Sequence, residues 1–158
     1  MWKYIEMEYI YRDIKLILKK PVVEIFNEYG KKNSKNEIGG VLIGKIYPEY
    51  ITIEKLTKPS KLDKSTKLSF IRSKKSAQRK INKNWKNSNG TLIYLGEWHT
   101  HPSINPIPSQ QDIKMISESL KYTVMEIDFL FLIILGLNNF LWIGIQNQDG
   151  LKKMTKKD

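Results

Sequence analysis

Residues 96–112 read GEWHTHPSINPIPSQQD. Upstream, residues 92–98 are apolar enough for a strand. The prolines at 102, 106 and 108 mark residues 99–108 as a loop. Ser109 then has the look of a helix N-cap, with Asp112 three residues on, and Ile113, Ile116 and Leu120 supply that helix with a buried face. The chain's two histidines stand in this stretch, at His99 and His101. At the end of a strand, positions two apart project to the same face, and Thr100 points the other way. Pro102 ends the extended segment without needing a backbone donor. Two imidazoles so placed can bind one metal ion. Asp112, thirteen residues after His99, adds a hard carboxylate. Two imidazoles and a carboxylate suit Zn²⁺, and three protein ligands leave the fourth position for water, the pattern of a catalytic site. Zinc brings the pKa of such a water to about 7. The chemistry then needs a base and a donor for the developing oxyanion.

Working outward, Ile14, Leu16 and Leu18 alternate as a strand does. Pro21 opens a helix whose stripe is Val22, Ile25, Phe26 and Tyr29, and Gly30 suits its C-terminal end. Residues 31–36 form a polar loop. Residues 38–47 predict a glycine-spaced strand and 50–57 its antiparallel partner across Pro48-Glu49. Ala77, Ile81 and Trp85 give residues 73–87 a helix with one narrow apolar stripe. Asn89-Gly90 is a turn signal. Residues 127–135 and 140–145 predict two strands joined through Asn138-Asn139. The class is α/β of the α+β kind, a mainly antiparallel mixed sheet flanked by helices.

The 158 residues suit one domain, placed at 1–150 with a basic tail at 151–158 whose lysines and lone Asp158 suggest a frayed end. No cysteine is present, which excludes disulfides, a thiolate zinc site and a cysteine nucleophile. The most apolar stretch, 129–137, is about half the length of a spanning helix, and the N-terminus lacks the apolar centre of a signal peptide. The expectation is a cytoplasmic, unprocessed protein with no membrane association. The net charge is +11. Residues 58–86 carry eleven basic side chains against Asp63 alone, and the rest outside the tail is close to neutral. Such a segment is a solvated surface, a face for an acidic protein, or a phosphate binder. Only Arg12, Arg72 and Arg79 are arginines, which disfavours nucleic acid.

These residues carry a resemblance. GEWHTHPSINPIPSQQD with NEIGG upstream resembles the JAB/MPN (JAMM) metalloproteases. Their signature is an upstream glutamate, then H-x-H-P, seven residues between the second histidine and a serine, then x-x-D. Glu37, His99, His101, Pro102, Ser109 and Asp112 meet it at every spacing, and the resemblance covers about residues 10–147. It implies the JAB/MPN, cytidine-deaminase-like domain and a zinc-dependent peptidase or isopeptidase. His99, His101 and Asp112 would be the ligands. Glu37 would take a proton from the attacking water and deliver it to the leaving amine, and Ser109 would hydrogen-bond the oxyanion. The sequence is most similar to the small bacterial branch with G-E-W-H-T-H-P, found in mobile elements and CBASS anti-phage operons beside E1- and E2-like conjugating enzymes. Members there remove the conjugated C-terminus of the cyclic-nucleotide synthase (CD-NTase) from its targets. The chain has little room for the insertions with which some eukaryotic members grip ubiquitin, which argues against ubiquitin itself as substrate.

Alternatives stay open at this point. Ser109 and Asp112 also read as a cap and a helix-dipole partner. Glu97 shares strand parity with His99 and His101 and competes with Glu37 as base; if the strand twists away, it is a supporting or surface acid. Gly39 and Gly40 either admit a substrate backbone or relieve packing. Trp85, Trp98 and Trp142 read as core or rim aromatics. Residues 58–86 are a candidate substrate surface. Other functions are processing of a sulfur-carrier or ubiquitin-like precursor, a non-catalytic MPN scaffold, and a basic nucleic-acid binder.

Overall fold

The computed structural model describes residues 5–31, 36–67, 70–122 and 127–158. The polar loop expected over 31–36 therefore lies largely outside the described residues. In chain order the strands are Met7–Tyr11 (β1), Ile14–Leu18 (β2), Gly39–Ile46 (β3), Ile51–Leu56 (β4), Lys64–Ser65 (β5), Phe70–Ile71 (β6), Ile93–Thr100 (β7), Leu130–Leu135 (β8), Leu141–Asn147 (β9), Gly150–Lys153 (β10) and Thr155–Lys157 (β11). The helices are Lys20–Gly30 (α1), Lys74–Asn87 (α2) and Gln110–Tyr122 (α3).

Strand β8, LFLIIL, is buried at every position. An unbroken apolar run belongs inside a sheet beside a parallel neighbour, and β8 pairs in parallel with β7, His99 opposite Ile134. The sheet runs β10-β9-β8-β7-β3-β4-β2-β1-β11. Pairs β7–β8 and β2–β4 are parallel and the other six are antiparallel, so the mixed, mainly antiparallel class is correct. Alternate residues serve two cores. Leu42, Leu95, Trp98, Phe131 and Ile133 pack with Val22, Val23 and Phe26 of α1 on one face. Val41, Ile43, Leu130, Leu132 and Ile134 pack with Ala77 of α2 and Ile116 of α3 on the other. Pro21 stands in the first turn of α1, where its missing N–H has no intrahelical partner to lose.

The register of β7 against β3 slips at Leu42/Ile43. The slip is a bulge at Leu95-Gly96, and Gly96 sits at φ 148° with its Cα against the Phe131 carbonyl, where a Cβ would collide. A bulge shifts side-chain parity by one residue. Leu95 and Trp98, three apart, therefore share the α1 core.

The expectation of a frayed end from Leu151 is corrected. Strand β10 pairs with β9 at one edge of the sheet and β11 pairs with β1 at the other. Only Met154 separates them, so the sheet curls until its edges meet there. Met154 is 2% exposed within the core, and its N–H bonds the Ile143 carbonyl at 2.8 Å. Two lysine pairs flank Met154, and Leu151 packs against the other core, which together hold the segment. Trp85 departs from the expected apolar stripe: it is exposed and lies against Gly90 in the turn after α2.

Candidate metal centre

Strand β7 runs through Thr100, two residues beyond its expected end, so His99 belongs to the sheet rather than to the proline loop. The backbone holds both histidines in place. Thr100 N–H bonds the Ile38 carbonyl at 2.8 Å, and His101 N–H bonds the Leu135 carbonyl at 2.9 Å. The loop then turns through Ser103, whose carbonyl accepts Leu137 N–H at 2.7 Å, and reaches α3.

At the start of α3 the serine and the aspartate form a reciprocal cap. Ser109 Oγ accepts Asp112 N–H at 3.1 Å, and Asp112 Oδ2 accepts Ser109 N–H at 2.8 Å. The cap fixes the carboxylate in a position that faces both imidazoles. Asp112 Oδ1 lies 3.1 Å from His99 Nε2, Asp112 Oδ2 lies 3.0 Å from His101 Nε2, and the two Nε2 atoms are 3.1 Å apart. No assignment of ring protons satisfies these three contacts together. If both Nε2 atoms carry hydrogen, they face each other as donors; if one does not, its lone pair faces a carboxylate oxygen. A cation shared by the three donors resolves the conflict. Tetrahedral zinc with bonds of about 2.0–2.1 Å separates its ligand atoms by about 3.3 Å, close to the triangle found. The donor set thus fits zinc, with His99, His101 and Asp112 as the residues that would hold it.

Glu37 joins this cluster from the other side. Its Oε1 lies 3.9 Å from His101 Nε2, and its side chain is 7% exposed. It precedes β3, and Ile38 is tied to the histidine strand by the bond from its N–H to Thr100 Oγ1 at 3.0 Å. Gly39 and Gly40 serve packing: a Cβ on Gly39 would strike the Trp98 carbonyl, and one on Gly40 the Thr57 carbonyl. Burial raises the Glu37 pKa, with the nearby His101 and His99 opposing it. Burial would also raise Asp112, but hydrogen bonds from His101 and His99 outweigh it and hold that carboxyl well below the usual range.

Of the positions considered for Glu97, the structure matches the supporting acid rather than the base or the surface acid. It is 4% exposed, and its Oε1 accepts Arg72 Nε–H at 2.6 Å while Tyr94 O–H donates to Oε2. Its oxygens are already committed. Burial pushes its pKa up and Arg72 opposes that shift. The bulge explains Tyr94: without it, Tyr94 would face away from Glu97. Arg72, counted in the sequence with the solvated basic segment, is a buried-end ion-pair partner. Its signal was its identity, one of three arginines among many lysines. Ser65, Thr66 and Asp63 also contribute to the site's frame and carried no signal. Trp98 and Trp142 are core residues.

Two depressions flank the cluster. A groove of about 550 Å³ reaches His99 and Asp112 between Ile71 and Lys74 on one wall and Met115 and Glu118 of α3 on the other. A smaller cavity of about 120 Å³ reaches Glu37 and His101 beside Tyr29, Lys67 and Leu137. A chain crossing from one to the other passes the three donors.

A curled mixed sheet with His-x-His at a strand end, a carboxylate at the next helix start and a glutamate before the neighbouring strand defines the JAB class. Residues 19–148 match the family described as prokaryotic homologs of the JAB domain, and the chain belongs to that family. A protein of Escherichia coli (strain TW11681) named CD-NTase/cGAS isopeptidase is 32% identical over 146 residues, 92% of this chain and 90% of the relative. A Vibrio cholerae protein of the same name is 30% identical over 113 residues, 72% of this chain and 69% of the relative. The solution structure of a Desulfitobacterium hafniense protein shares the fold, with a TM-score of 0.61 at 20% identity over 89% of this chain and 88% of that one. Among the described residues no helix is long and apolar enough to cross a membrane.

Proposed function

We propose that this chain is a zinc-dependent isopeptidase that releases a CD-NTase from proteins to which its C-terminus is conjugated, within a CBASS-type defence system that supplies E1- and E2-like conjugating enzymes. The observation that carries the reading is the convergence of His99 Nε2, His101 Nε2 and an Asp112 oxygen pair at 3.0–3.1 Å with Glu37 beside them. The shared name of the relatives supports the choice of substrate.

Bound zinc supplies an acidified water and a Lewis acid for the scissile carbonyl. The chain's residues do the rest. Glu37 takes one proton from the attacking water and gives it to the leaving lysine amine, so the amide becomes a carboxylic acid and a free amine with no other reactant. Its burial favours the proton-holding form it must pass through. Ser109 accepts from Asp112 N–H with its oxygen, which leaves its O–H to donate to the carbonyl oxygen as charge develops there. The lysine face of α2, with Lys74 on the groove wall, meets the substrate.

The test is cleavage of a CD-NTase joined through its C-terminal carboxyl to a lysine side chain. The zinc-loaded protein should release both parts, and a chelator should stop it until zinc is returned. Cleavage unaffected by metal removal would overturn the reading.

A further inference from the structure

Glu37 stands outside regular structure, yet a base must hold its place to within a fraction of an ångström. On its C-terminal side Ile38 is bonded to Thr100 in both directions. On its own residue the grip comes from elsewhere: Glu37 N–H donates to the Thr66 carbonyl at 2.7 Å, and Ser65 O–H donates to the Glu37 carbonyl. Both partners belong to the hairpin of β5 and β6, paired Lys64↔Ile71 and Ser65↔Phe70.

That hairpin is closed at its base and fastened to the histidine strand. Asp63 Oδ2 accepts Ser60 N–H and Asp63 Oδ1 accepts Ser73 N–H, each at 2.7 Å, which draws residues 60 and 73 together. Ser73 in turn caps α2 through Ser76 N–H at 3.1 Å. Arg72 then reaches Glu97, two residues before His99, at 2.6 Å. One continuous set of bonds therefore runs from the strand bearing a metal-ligand candidate, through Arg72 and the hairpin, to the backbone of Glu37.

We propose that residues 60–67 and 70–73 form a positioning element for Glu37, in which Ser65 fixes the base and Arg72 fixes the hairpin to β7. The inference rests on the reading of Glu37 as the base. Ser65 acts here through Glu37 alone, and Arg72, which also lines the groove, acts through its bond to Glu97. A displacement of about 1 Å of a reacting group costs about a hundredfold in rate, so loosening the grip should act on kcat.

The experiment compares wild type, Ser65→Ala, Ser65→Thr and Glu37→Gln on the CD-NTase–lysine conjugate, with zinc content and hydrogen exchange at the Glu37 amide measured on the same samples. Ser65→Ala should lower kcat about 10- to 100-fold with KM within about threefold and zinc unchanged. Ser65→Thr should recover most of the loss, and Glu37 amide exchange should quicken at least tenfold in Ser65→Ala alone. Arg72→Lys, which keeps a charge for Glu97, should give the same direction with a smaller loss. Unchanged kcat and unchanged exchange in Ser65→Ala would overturn the proposal. If wild type itself does not cleave, the functional reading fails, and the exchange rates still decide whether the hairpin holds Glu37.

Discussion

Ser109 caps α3, and a single substitution separates that role from the oxyanion role proposed for it. Ser109→Ala removes the acceptor for Asp112 N–H but keeps the backbone donor to Asp112 Oδ2. Loss of a serine cap costs about 1 kcal/mol, which for a chain of this size lowers Tm by about 2–4 °C. The carboxylate stays anchored by Ser109 N–H and both imidazoles, so zinc should be retained at one per chain. Loss of an oxyanion donor costs about 100- to 1000-fold in kcat, roughly 3–4 kcal/mol of barrier. The two penalties differ by about 2–3 kcal/mol, well within what thermal melts and steady-state kinetics resolve. Ser109→Asn sharpens the comparison, because asparagine caps about as well as serine while its amide occupies a different place. It should melt near wild type and still lose most of kcat. If Ser109→Ala loses stability but keeps kcat within about threefold, Ser109 is a cap only and the oxyanion role is wrong.

Met154→Ala should lower unfolding stability by about 2–4 kcal/mol, since the side chain is buried where the two sheet edges meet; a denaturant midpoint equal to wild type would contradict the closure. Burial pushes the Tyr9 pKa up to about 12. The folded chain thus binds this proton more tightly than the unfolded chain, whose value is about 10, so the contribution is complete below pH 10 and is lost as pH rises through 12. Wild type should lose up to about 1.4 kcal/mol per pH unit across that window relative to Tyr9→Phe, and parallel pH profiles would refute it. Reversing the charge of Lys74, Lys75 and Lys80 should raise KM about tenfold at low salt and leave kcat nearly unchanged; cleavage with unaltered KM would remove α2 from the substrate surface.

The sequence exposed the parts of this molecule that obey local rules. The two asparagines at 138 and 139 take φ values of 56° and 62°, which asparagine tolerates, and they place the turn between β8 and β9 where the residue types put it. The Ser109–Asp112 spacing became a reciprocal cap, and the two-residue step from His99 to His101 became one shared face. What stayed hidden depends on distant partners. Alternation in MEYIY was available for β1, but the run is short and follows Glu6, and its buried positions are Met7 and Tyr9. Strands β10 and β11 look like a polar tail because their lysines face outward and only Leu151 and Met154 touch the cores. The bulge at Leu95-Gly96 brings Tyr94 onto the face of Glu97, and Arg72 finds Glu97 across 25 residues of chain. Pairings of that range leave no trace in local composition.

The central claim is that Glu37 acts as the base beside a zinc held by His99, His101 and Asp112. The most direct measurement is turnover of the CD-NTase–lysine conjugate by Glu37→Gln, with zinc quantified in the same preparation. The expected result is one zinc per chain, as in wild type, with cleavage reduced at least about a hundredfold. Normal cleavage by Glu37→Gln with zinc bound would contradict it and assign the proton transfer to another group.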